Sequence, residues 1–218
     1  ARHLSGSVKI APKAAIRLTK NLPLAAGIGG GSADCAAAIK ALIEHWHLSP
    51  PDHELRRLAV QLGADIPVCL EGRPSHVGGI GEIITPAPIL PPAWLVLVNP
   101  ATKISTSSIF QAYTAPLSNS AHLIPTPNSA RNLARELSLR RNDLTNTAAV
   151  MEPAIINALE VLESCKSVLI SRMSGSGATC FGLFEYEEQA SASAKRIQKL
   201  HPHWWVRSTR IMGPDNEP

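Results

Sequence analysis

The sequence predicts an α+β protein of two layers, with helices packed on antiparallel sheet, and three observations carry that expectation. The 218 residues are 44% apolar and 17% charged, enough for a real core in one large domain or two small ones. The last third reads helix, strand, strand, helix, strand. Near the start, a stretch with four glycines runs directly into an alanine-rich helical pattern. No internal repeat is visible.

Taken in order, residues 14–19 (AAIRLT) alternate weakly and predict a strand, broken by Asn21 and Pro23. The glycine stretch follows. Ser32 is a good N-cap for a helix reaching about Trp46, with Ala36, Ile39, Leu42 and Ile43 at core spacing. Ser49 with Pro50 and Pro51 opens a second helix whose buried face is Leu55, Leu58, Ala59 and Leu62, and Gly63 stops it. Residues 63–70 (GADIPVCL) place an acid before a proline and a short apolar run. Residues 75–86 (SHVGGIGEIITP) predict a glycine-punctuated hairpin, and residues 94–99 (WLVLVN) a buried strand. Between residues 100 and 127, Ser, Thr, Asn and Pro dominate, with one short helix near residues 106–113. Helices are expected at residues 129–137, 144–150 and 153–164. A strand at 167–171, a turn MSGSGA, a strand at 180–184, a helix at 187–200 and a strand at 204–209 complete the chain.

Composition excludes several function classes. The net charge of +4 suits a small anionic ligand, but Lys and Arg are scattered, which argues against nucleic acid as a partner. Cys35, Cys69, Cys165 and Cys180 form no C-x-x-C pair, so reduced thiols of a cytoplasmic protein are expected. His45 and His47 point to different sides of a helix, and with His53, His201 and His203 they read as surface residues. No apolar run would span a bilayer and no signal peptide is expected, so no membrane partner is.

The chemistry centres on residues 23–38, PLAAGIGGGSADCAAA. Glycine permits positive φ and close approach of a ligand, and a helix N-terminus presents free N–H groups at its positive dipole end. Together these make an anion cradle, with phosphate the usual guest. A Walker A loop is excluded because no Gly-Lys-Ser or Gly-Lys-Thr occurs. A dinucleotide fingerprint starting at Gly27 fails at Ser32, and a nucleophile elbow at Ser176 fails because residue 174 is serine. The competing reading is a glycine helix cap with no ligand.

The pattern P-x-x-x-G-I-G-G-G-S-x-D-x-A resembles the phosphate loop of the GHMP kinases, and its triple glycine looks most like the 4-diphosphocytidyl-2-C-methyl-D-erythritol kinase family. GADIP at 63–67, GIGEIITP at 79–86, ISTSSIFQAY at 104–113, NDL at 142–144 and SGSGATCFGLF at 174–184 follow in that family's order. The resemblance covers the chain from about Ile16 onward. It implies the GHMP kinase fold: a ribosomal-protein-S5-like N-terminal ATP-binding part over residues 1–100, incomplete at its start, and a ferredoxin-like C-terminal part over residues 101–218, with the active site between them. It also implies ATP with Mg²⁺, and phosphorylation of the 2-hydroxyl of the cytidine diphosphate-linked methylerythritol in non-mevalonate isoprenoid biosynthesis.

Residue by residue, the resemblance puts Pro23, Leu24, Ala25, Ala26, Gly27, Ile28, Gly29, Gly30, Gly31, Ser32 and Ala33 on the ATP phosphates. Asp65 matches the catalytic aspartate that takes or orients the proton of the acceptor hydroxyl; its plain alternative is a turn aspartate before proline. Ser105 and Thr106 fall where the family approaches its substrate, and Ser174, Gly175 and Gly177 on the C-terminal glycine motif beside the active site. Ser32 could contact phosphate or Mg²⁺ or cap the helix. Asp34 is expected to face away from the phosphates and support the helix. Cys35 reads as a buried thiol, with an activated one as the alternative. No metal ligands are assigned.

Members of that family begin upstream, with a catalytic lysine and with Tyr and His residues that grip the cytidine base; none of these can be placed here. Lys9, Lys13 and Lys20 read as surface residues. The expectation is a chain entered partway through its first domain: a fragment, a mis-started reading or an inactive form. Other readings are a GHMP kinase for homoserine or mevalonate, a nucleotide-binding remnant, and an RNA-binding module.

Overall fold

The computed structural model describes residue 4, residues 13–123 and residues 126–212. The chain divides into two compact units, one of Ala1–Asn21 with Gly29–Ala87, the other of Leu22–Ile28 with Pro88–Pro218. Lys9 lies outside the described residues.

In the first unit, α1 (Gly30–His45), α2 (Asp52–Leu62) and α3 (Ile66–Glu71) precede an antiparallel hairpin of β1 (Ser75–Gly78) and β2 (Ile83–Pro86). The spacing of Ala36, Ile39 and Leu42 gives α1 its buried stripe. Ile39 meets Ala59 and Ile66 in one apolar cluster, and Leu42 meets Leu4 and Leu58 in another. Leu62, expected on the buried face of α2, stands exposed. The helix α3 was not anticipated, because six residues are too few to show a helical period; Pro67 sits in its first turn, where a missing N–H costs nothing.

The strand expected at residues 14–19 does not form. These residues join no ladder among the described residues, and Ile16 and Leu18 are 60% and 62% exposed. Alternation signals a half-buried strand only when a partner strand satisfies the backbone.

The second unit carries β3 (Trp94–Asn99), α4 (Thr106–Ala112), α5 (Ala130–Ser138), α6 (Thr145–Met151), α7 (Ala154–Glu163), β4 (Ile170–Met173), β5 (Cys180–Phe184), α8 (Glu187–Leu200) and β6 (Trp205–Arg210). Its sheet runs β4-β5-β3-β6, antiparallel throughout, the order of a ferredoxin-like βαββαβ unit. Val96, Val98, Cys180 and Phe184 pack on one face with Ile155, Leu162 and Ile197 of α7 and α8. Leu95, Leu183 and Ile170, alternating with them, form a smaller cluster on the other face with Leu133 and Ala134 of α5. The sheet is therefore covered on both faces there.

Placing a domain edge at residue 100 put β3 with the N-terminal part. It pairs instead between β5 and β6, and the packing units part at Ala87 and Pro88. Ladder β4 starts at Ile170, later than expected, because Ser167 takes φ 69 in the turn leaving α7.

Candidate active site

The glycine stretch changes hand repeatedly. Ala25, Gly27 and Gly29 have φ of 52, 70 and 65°, and α1 begins at Gly30 with Gly29 as its left-handed N-cap. Ser32, expected to cap this helix, lies inside its first turn. Glycine at residue 29 supplies the left-handed cap without a side chain, so the helix starts earlier. The first helical bond runs from Ala33 N–H to Gly29 O at 2.9 Å. The N–H groups of Gly30, Gly31 and Ser32 thus have no acceptor within the helix. No side chain among the described residues caps them and no acid lies in the first turn, so none of these compensates the positive end of the helix dipole.

The glycines differ in why they are glycine. A Cβ on Gly27 would sit 2.3 Å from Gly177 O and 2.8 Å from Ser174 O, so the protein itself excludes a side chain there. Around Gly29 and Gly31 nothing among the described residues lies within 4 Å of such an atom. Positive φ accounts for Gly29, but Gly31 is helical, where glycine costs about 0.5–1 kcal/mol relative to alanine. No packing among the described residues explains that cost; a ligand lying against the helix would.

Asp34, one turn along α1, pairs with Lys20, each partly exposed. Its charge is thereby matched by Lys20 and not by the helix N-terminus it was expected to support, and Lys20 is an ion-pair partner and not a free surface cation. Cys35 packs half-buried beside Ile39.

Asp65 is the N-cap residue of α3 and is exposed. Its side chain caps nothing, and its carboxylate enters no ion pair among the described residues. It is therefore available to a ligand. Two sequence motifs meet beside it. Gly81, at φ 102°, lies so close to Ala64 that a Cβ would fall 1.9 Å from the Ala64 carbonyl oxygen. Burial pushes the Cys69 thiol up, the Asp65 charge adds to the effect and Lys40 opposes it.

In the second unit, the turn at residues 174–179 grips the glycine stretch directly. Ser174 Oγ donates to Gly27 O at 2.8 Å, and Thr179 N–H donates to Ala26 O at 3.2 Å. Gly175 (φ 53°) and Gly177 (φ 88°) are needed for this turn. A Cβ on Gly175 would press on Gly27 O at 3.0 Å, and one on Gly177 on Met173 Sδ at 3.0 Å. Thr106 Oγ1 bonds Ser176 Oγ at 2.8 Å, while Ser105 caps α4 by accepting from Ser108 N–H. The residues expected on the substrate thus hold the loop or a helix end.

Sequence reasoning missed two polar anchors of that turn. Asn99, 1% exposed at the end of β3, donates from Nδ2 to Thr179 Oγ1 at 2.9 Å. Asn142 donates to Met173 O at 3.1 Å and Gly175 O at 2.7 Å while its Oδ1 accepts from Leu144 N–H. The signals were there: a polar residue closing a wholly apolar strand, and the NDL motif. A cleft of about 470 Å³ in this unit, lined by Tyr113, Arg141, Asn142, Thr147 and Arg172 among others, contains none of the residues expected to carry the chemistry.

The described residues show no group of three His, Cys, Asp or Glu able to cage a metal ion and no helix long and apolar enough to cross a membrane. The four cysteines are free.

Comparison with known proteins places this geometry in context. Residues 1–73 match the GHMP kinases N terminal domain and residues 121–203 the GHMP kinases C terminal domain. A Paramagnetospirillum magneticum protein named 4-diphosphocytidyl-2-C-methyl-D-erythritol kinase is 49% identical over 212 residues, which are 97% of this chain and 74% of that protein. A Rhodospirillum rubrum protein of the same name is 44% identical over 213 residues, 98% of this chain and 70% of its own length. A crystal structure of 4-(cytidine 5'-diphospho)-2C-methyl-D-erythritol kinase superposes with a TM-score of 0.68 at 27% identity, covering 89% of this chain and 69% of that one.

Proposed function

Since the chain belongs to the 4-diphosphocytidyl-2-C-methyl-D-erythritol kinases of the GHMP kinase superfamily, we propose that residues 23–33 and Asp65 carry out that kinase's reaction, transfer of a phosphoryl group from ATP to the 2-hydroxyl of the cytidine diphosphate-linked methylerythritol. The protein is a kinase of isoprenoid precursor biosynthesis, and cytoplasmic residence belongs to the same proposal.

One observation supports the assignment of the nucleotide site: a helix N-terminus that no side chain of the described residues caps, and whose Gly31 has none of their atoms against it to require a glycine. The N–H groups of Gly30, Gly31 and Ser32 would donate to phosphate oxygens, and the alternating hand at Ala25, Gly27 and Gly29 would let the backbone follow the phosphate chain. Such fixed donors stabilise charge as it moves onto the leaving phosphate without having to reorganise. These donors fit a polyphosphate. Mg²⁺ would be held mainly by the nucleotide's own oxygens, as is usual for this ion, where it neutralises charge on the phosphates.

Asp65, exposed and unpaired, would accept the proton of the acceptor hydroxyl or align it for in-line attack. The test is ATP-dependent turnover of three alcohols: the cytidine diphosphate-linked methylerythritol, homoserine and mevalonate. Turnover of the first alone is expected. Asp65→Asn should lower kcat by about 10²–10⁴-fold, the span of general-base effects, while ATP affinity holds. Turnover of homoserine or mevalonate alone, or full activity of Asp65→Asn, would overturn the proposal.

A further inference from the structure

We infer that Asn99, which lies outside every motif of the nucleotide site, is a positioning residue that sets ATP affinity by acting through Thr179 on the Ala26–Gly27 backbone. The inference rests on the assignment of residues 23–33 to ATP.

Asn99 ends β3 at 1% exposure and Thr179 is wholly buried. Polar groups so placed must be bonded, and here each has a partner. Asn99 Nδ2 donates to Thr179 Oγ1, and its Oδ1 accepts from Ala101 N–H at 2.9 Å. The Thr179 backbone faces two ways: its carbonyl accepts from Ser174 N–H at 2.9 Å and its N–H reaches Ala26 O. Thr179 is thus fixed by the core on its side-chain end and holds the loop with its main chain.

The geometry leaves little slack. Gly27 approaches the turn so closely that a missing Cβ separates it from Gly177 O, so a small movement of residues 177–179 is transmitted to the loop by contact as well as by hydrogen bond. Asn142 secures the turn's other end through Met173 O and Gly175 O, which makes Thr179 the end that depends on Asn99. Stability alone does not call for this arrangement. Replacing both partners of a buried hydrogen bond by apolar groups of similar shape is often nearly neutral. An amide kept at the end of an otherwise apolar strand is accounted for by what it orients.

The experiment uses the full chain with Asn99→Leu, Thr179→Val and the double substitution, reading KM for ATP, KM for the acceptor, affinity for a non-hydrolysable ATP analogue by calorimetry, and the thermal midpoint. Each single change should weaken ATP binding about three- to tenfold, the effect of one hydrogen bond, with acceptor KM unchanged. The double variant should be no worse than either single one, since both remove the same bond. Thr179→Ser, which keeps the hydroxyl, should restore affinity. Additive losses, parallel losses for both substrates, or unchanged ATP affinity would overturn the inference. If Asn99→Leu does not fold, the comparison of Thr179→Val with Thr179→Ser decides alone: equal ATP affinities overturn the inference. A wild-type protein that binds the analogue but phosphorylates a different alcohol would sink the substrate assignment and leave this inference standing; one that binds no analogue would sink both.

Discussion

Gly27→Ala is the sharpest perturbation available, because the same substitution at Gly29 serves as its control. Both residues have positive φ, 70 and 65°, so alanine at either incurs the left-handed penalty of about 1–2 kcal/mol. They differ only in surroundings. At Gly29 the added methyl meets nothing within 4 Å among the described residues; at Gly27 it would lie 2.3 Å from Gly177 O and 2.8 Å from Ser174 O, both backbone atoms that cannot rotate aside. Relief requires the loop to part from the turn, which breaks the bonds Ser174 Oγ to Gly27 O and Thr179 N–H to Ala26 O. At about 0.5–1.5 kcal/mol each, these add roughly 1–3 kcal/mol to the cost at Gly27 alone. Urea unfolding of both variants, with m-values compared, measures the difference directly. If Gly27→Ala and Gly29→Ala prove equally stable, the close approach of loop and turn is refuted.

Gly81→Ala should destabilise the protein by at least about 1–3 kcal/mol through backbone strain and, by pushing on Ala64, reduce kcat while sparing ATP affinity; equal losses in both would disconnect the hairpin from Asp65. Burial pushes the Cys180 thiol up to about 12, from an ordinary value of 9.0. The unfolded chain therefore gives up that proton first, so the associated stability is intact below pH 9.0 and is lost as pH rises toward 12, at about 1.4 kcal/mol per unit. The stability gap between wild type and Cys180→Ala, followed by urea titration at mildly and strongly alkaline pH, should shrink with that slope; a constant gap would contradict it. A double-mutant cycle on Lys20→Met and Asp34→Asn should yield a coupling of about 1 kcal/mol or less, since both groups are partly exposed. A much larger value would mean that the pair is shielded from solvent.

The elements of the second unit were legible because their signals are local and strong. Residues 94–99 form an uninterrupted apolar run, residues 180–184 follow a glycine turn, and residues 187–200 keep a helical period; all three formed within a residue of expectation. The misses have non-local causes. Whether residues 14–19 become a strand depends on a partner that alternation cannot reveal. The start of α1 depends on which of several adjacent residues takes the left-handed cap, and Gly29 and Ser32 are both plausible caps from sequence alone. Of the site, the glycine loop and Asp65 were legible as motifs. Their supports were not: that Gly81 is fitted to Ala64, or Asn99 to Thr179, is a matter of contacts between residues tens of positions apart.

The seven residues Leu22–Ile28 belong to the second unit although the chain on either side of them belongs to the first. No single cut therefore separates the halves. A fragment beginning at Pro88 would lack Ala26 and Gly27 and leave the amide of buried Thr179 without its acceptor. Anyone recombining this protein with a relative has to treat residues 22–28 and 174–179 as one inheritance unit, taken from the same parent, with the crossover points placed elsewhere.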